Sequence, residues 1–105
     1  WVKSSAPNLL IAKRGAGVAF GTFPKSIPVN TWTRVTQTMT VDAGATSFYF
    51  DIGWEAGSAP SGATLYVDDI MATIGDTAHD FADGNSPGWI WNGTVNHSTS
   101  TGPLF

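Results

Sequence analysis

The sequence predicts an all-β fold, a β-sandwich of two antiparallel sheets with jelly-roll character. Three observations lead there. Thr33, Val35, Gln37, Met39 and Val41 alternate with Arg34, Thr36, Thr38 and Thr40, a period of two. Phe48, Phe50 and Ile52 point one way along the next run, and Ser47, Tyr49 and Asp51 the other. Short runs rich in β-branched and aromatic residues recur between Gly, Pro, Asn and Asp clusters, with no helical spacing to compete.

Taken in order, Trp1 to Ser5 reads as the tail of a strand, and Asn8 to Lys13 as a short buried strand. Gly15-Ala16-Gly17 signals a turn, and Val18 to Phe20 a strand. The stretch from Phe23 to Asn30 carries two prolines and reads as a loop or an edge. The strand over 33–41 follows, then the turn Asp42-Ala43-Gly44-Ala45 and the strand from Ser47 to Ile52. A Gly/Ser/Pro-rich loop, Ala56 to Gly62, leads into Thr64 to Val67. That strand reaches Asp68 and Asp69 and is expected to continue through Met71 to Ile74. Beyond Gly75-Asp76 the character changes. Ala78 to Phe81 reads as a short strand, Asp83 to Gly88 as a turn cluster, Gly88 to Val95 as a strand and Thr94 to Gly102 as an outer strand. Seven or eight such strands make a sandwich.

Composition narrows the function. A chain of 105 residues is one domain, 1–105, with one modest core. Charged residues make up 12 %, about half the usual quarter, so Thr, Ser, Asn and Gly supply the polar surface. Such a surface suits an uncharged partner. The net charge of −3 argues against a nucleic-acid partner, which needs clustered Lys and Arg. No run approaches a membrane span of roughly 20 apolar residues, so no membrane partner is expected. Cysteine is absent, which removes disulfides, thiolate metal sites and cysteine nucleophiles. The abrupt opening at Trp1-Val2-Lys3 fits a mature domain cut from a longer secreted protein.

Catalysis finds little support. Glycoside hydrolysis needs two carboxyl groups flanking one bond, and Glu55 is the only glutamate, without an evident partner. His79 and His97 lack a nucleophile motif and do not pair at metal-ligand spacing. A non-enzymatic role is therefore expected.

The stretch at the centre of the chain resembles the β-sandwich carbohydrate-binding modules attached to bacterial glycoside hydrolases, especially those that bind xylan and soluble or mixed-linkage β-glucans. The resemblance lies in Asn30, Trp32 and Val35 as Asn-x-Trp-x-x-Val, in Val41 to Ser47 as Val-x-Ala-Gly-Ala-Thr-Ser, in Phe48-Tyr49-Phe50 and in Leu65-Tyr66-Val67-Asp68-Asp69-Ile70. Trp1 to Ser5 looks like a middle strand of that family. His79-Asp80-Phe81-Ala82-Asp83-Gly84 with Gly88-Trp89 resembles the family's opening segment, here placed after its last one. Two accounts fit: a circularly permuted single module, or most of one module and the start of the next in a tandem array. The nearness of sandwich termini favours permutation.

The resemblance implies non-catalytic binding of plant cell-wall polysaccharide (β-1,4- or mixed-linkage glucan, xyloglucan or xylan) that targets a covalently attached glycoside hydrolase. The module is expected to be a monomer. A structural or protein–protein sandwich of a secreted multidomain protein is the alternative, favoured by an apolar patch in place of a polar aromatic cleft.

The five tryptophans fit sugar binding, because a flat indole covers the apolar face of a pyranose while polar neighbours bond its rim. Trp54 lies where a strand gives way to a loop, and Trp91 is flanked by Asn92 in a polar stretch. These three and Trp1 are candidate carbohydrate ligands, with Tyr49 and Asp51 if their face meets solvent. Trp32 and Trp89 are read as core. The resemblance further implies a structural calcium held by Asp69 or Asp68 with Asp80 or Asp83, oxygen ligands of the kind calcium takes. Ala82 stands where the family carries Glu, so Asp83 would have to substitute.

Overall fold

The computed structural model describes residues 1–103 of the chain. Among these residues the structure is all-β, without a helix. Its elements are β1 (Val2–Ser4), β2 (Asn8–Arg14), β3 (Gly21–Ser26), β4 (Tyr49–Gly53), β5 (Leu65–Val67), β6 (Ile90–Trp91) and β7 (Ser100–Thr101). Every pairing is antiparallel: β1 with β5, β2 between β3 and β4, and β6 with β7. The chain divides into two compact units, Trp1–Asp68 and the segment from Asp69 onward.

The core of the first unit follows from strand alternation. Leu9 and Ile11 face inward from β2, Val2 from β1, and Ile27 closes the loop after β3; each is at most 7 % exposed. Val2, Leu9 and Ile27 form one contact cluster, against which Val35, Ile52, Trp54 and Leu65 pack. Removing each large side chain from water contributes roughly 1.5–3 kcal/mol. Ser4 is the one fully buried polar side chain among the described residues, and it is satisfied. Its hydroxyl accepts the Ala6 N–H at 3.0 Å, and its carbonyl accepts the Asn30 N–H at 2.7 Å.

Several expected elements differ. Residues 33–41 form no ladder; a single antiparallel bridge joins Thr33 to Val2. The two-residue period is nevertheless visible in burial, with Thr33, Val35, Gln37 and Met39 half-buried and Arg34, Thr36, Thr38 and Thr40 exposed. Side chains take backbone acceptors along this run: Gln37 donates to the Thr38 carbonyl and Lys13 to the Thr40 carbonyl. Val18 to Phe20 is a loop whose N–H groups bond the Gly15 carbonyl and the Asp42 carboxylate. The strand starts later, at Gly21, and runs through Pro24. Pro24 is tolerated because β3 is an edge strand, paired only to β2. Met71 to Ile74 does not extend β5, since Asp69 adopts a positive φ of 51° and turns the chain out of the extended conformation. Ala78 to Phe81 is not a strand. The expected strands over 88–95 and 94–102 shrink to β6 and β7, with a turn closed by the His97 N–H on the Thr94 carbonyl.

Turn chemistry reads as expected in two places. The Ala45 N–H bonds the Asp42 carbonyl across a turn whose third residue, Gly44, has φ 83°. At the end of β2, Gly15 has φ 152° and lies against the Ser47 backbone, where a Cβ would overlap the carbonyl. Ala16 is tied to the same segment, its N–H bonding the Ser47 hydroxyl and its carbonyl the Thr46 N–H. Gly15→Ala is therefore expected to cost at least about 2 kcal/mol, because the obstacle is backbone. Urea denaturation measures it, and an unchanged midpoint would refute the close approach.

Candidate functional site

Two exposed faces of the first unit carry aromatic rings. The first lies on β1 and β5. Val2 and Ser4 face inward, so Trp1 and Lys3 face outward with their partners on β5. The register pairs Lys3 with Tyr66, and the Trp1 carbonyl accepts the Asp68 N–H at 3.0 Å. On the other side of β1, Val2 and Thr33 exchange backbone hydrogen bonds of 2.9 and 2.8 Å. That register sets Trp32 beside Lys3 and Arg34 beside Trp1. Two rows result, Trp32–Lys3–Tyr66 and Arg34–Trp1–Asp68. Trp1 is 46 % exposed, Trp32 45 % and Tyr66 58 %. Two strand spacings separate Trp32 from Tyr66, about 9–10 Å of backbone.

The second face lies on β2 and β4. Arg14 pairs with Tyr49 and Ala12 with Asp51. Tyr49 is exposed, as a platform requires, but one side of its ring is taken by Arg14, whose guanidinium lies 5.5 Å from the ring centre. Arg14 Nε also forms an ion pair with Asp51. The hydrogen bond to Asp51 and its charge raise the Arg14 pKa, with a smaller contribution from Tyr49. Tyr49 and Asp51 are thus engaged with a neighbour on the same face.

Near the start of β2 lies a depression of about 210 Å³, lined among others by Leu10, Pro24, Trp54, Glu55 and Ser58. Trp54 is half-buried. Its indole packs against the Val2–Leu9–Ile27 cluster, and its Nε1 is enclosed without a hydrogen-bond partner among the described residues. The loop junction that suggested a ligand platform turns this ring back onto the core.

In the second unit Trp91 is half-buried. Its ring lies against Gly84, where a Cβ would overlap it, and its Nε1–H donates to Asn85 Oδ1 at 3.1 Å. Asn92 is spent internally, donating to the Thr99 hydroxyl and accepting from that of Thr101, both at 3.0 Å. Trp89 is half-buried against Gly102.

The structure therefore places the expected ligands Trp1, Tyr49 and Asp51 on exposed strand faces of the first unit. Trp54 lies at the core margin, and Trp91 and Asn92 lie in the second unit. Trp32, expected in the interior, is exposed, because Thr33 is the residue that faces inward at the bridge. Tyr66 was missed, although the alternation of Leu65 inward and Tyr66 outward was present in the sequence.

Among the described residues no three carboxylate or imidazole side chains converge. Asp83 is an Asx-turn acceptor, its Oδ1 taking the Asn85 N–H at 2.9 Å. Asp80 is exposed, and Asp68 belongs to the first unit while Asp69, Asp80 and Asp83 belong to the second. Among the described residues no helix is long and apolar enough to cross a membrane. No family model, curated protein or solved structure matches the chain.

Proposed function

We propose that this chain is a non-catalytic polysaccharide-binding module of β-sandwich type, secreted and acting beside an attached glycoside hydrolase. The carrying observation is the outward face of β1 and β5, where Trp1, Trp32 and Tyr66 stand exposed in neighbouring register positions. Flat rings at two strand spacings offer stacking surfaces to successive sugars of a β-linked chain. Arg34 and Asp68, in the second row, are polar groups of the kind that bond the sugar's hydroxyl rim. An aromatic face interleaved with polar groups suits a glycan better than the apolar patch that would favour a protein partner.

Native gels cast with β-glucan, xyloglucan or xylan test the reading. Retarded migration in at least one is expected, and unretarded migration in all of them would remove it. The family resemblance also implies a structural calcium. Adding calcium to chelator-treated protein is then expected to raise the melting temperature by several degrees, as ligand binding to the folded state does. An unchanged melt would remove the ion from the proposal.

A further inference from the structure

The aromatic face carries a charge pattern that a purely neutral ligand leaves unused. The chain has five basic residues and a net charge of −3. Lys13 is paired with Asp42 at 3.7 Å, and Arg14 with Asp51. Lys3 stands on the face that bears Trp1, Trp32 and Tyr66, and Arg34, which has an interaction of its own, stands beside it. Lys3 lies in the middle of its row, between the two exposed rings. It makes no ion pair or side-chain hydrogen bond among the described residues. Its side chain is half-buried, and a lysine in that setting buries its stem while keeping the ammonium in water.

We infer that this face selects glycans bearing carboxylates, such as uronic-acid-substituted xylan, over their neutral counterparts. The inference rests on the proposed polysaccharide binding and deepens it. The rings hold the sugar faces, and Lys3 meets a uronate carboxylate between Trp32 and Tyr66. A point charge on a flexible stem tolerates the varied positions at which side-chain uronates occur. An ammonium with no carboxylate of its own among the described residues attracts an anion even on an otherwise acidic chain, an attraction that salt screens.

The test compares binding to glucuronoxylan with binding to the same polymer after chemical reduction of its carboxyl groups, by affinity electrophoresis and calorimetry. The unaltered protein is expected to bind the native polymer about fivefold more tightly at low salt, the size of an exposed ion pair. That preference should shrink at high salt. Lys3→Gln is expected to abolish the preference while still binding the reduced polymer, and Lys3→Arg to keep it. Tyr66→Ala should weaken binding to both polymers. Equal affinity of the unaltered protein for the two polymers, or a preference that survives in Lys3→Gln, would overturn the inference and leave neutral-glycan binding standing. Failure to bind either polymer or any neutral glucan would remove the proposed function itself.

Discussion

Trp32→Ala is expected to lose polysaccharide retardation by about tenfold or more in affinity, while thermal stability falls by less than about 1 kcal/mol. The binding loss, ~1.4 kcal/mol or above, is that of a stacked aromatic side chain removed from a binding surface. The small stability cost follows from position: Trp32 is 45 % exposed and lies outside the cluster of Val2, Leu9 and Ile27. Affinity electrophoresis and a melting curve of one preparation separate the two effects. An unfolded Trp32→Ala, with Trp32→Phe folded and binding normally, would return this indole to the interior. A folded variant with full retardation would take the β1–β5 face out of the proposed site.

Leu9→Ala is expected to produce the largest loss of stability, roughly 3 kcal/mol within the range of about 2–5 for such truncations. Leu9 is 4 % exposed at the centre of a small cluster with few other large side chains to fill the vacated space. A loss of that size lowers the melting midpoint of so short a chain by more than about 10 °C. Thr22→Ala, exposed on β3, is expected to stay within about 0.5 kcal/mol and serves as the control. Equal melts for the two variants would mean that the core lies elsewhere.

Much of the first unit was legible because strand alternation is local information. Asn8 to Lys13 announces β2 by its apolar run, and Tyr49 to Ile52 announces β4 by its alternating faces. Residues 33–41 show where this stops. From Thr33 to Thr40 the inward and outward positions are as the sequence says, whereas Val41 is exposed; a ladder also needs a neighbour whose backbone groups are unspent, and nothing local reports on that. The tryptophans divide in the same way. The faces of Trp32 and Trp1 follow from one bridge, Val2 to Thr33, that joins segments 31 residues apart in the chain. Trp54 turns inward from a loop junction, a conformation that composition does not encode. In the second unit, the turn cluster at 83–88 was legible from its Gly, Pro and Asn content. The short β6–β7 pair was overestimated, because alternation of polar types specifies a strand only weakly.

Pro24 has a consequence for how copies of this chain meet. β3 forms one margin of its sheet, and a margin with open amide groups invites another molecule's strand to zip onto it. At Pro24 that row of donors is interrupted and a pyrrolidine ring stands in its place. Even in a crowded solution this border then presents no continuous template for stacking into aggregates.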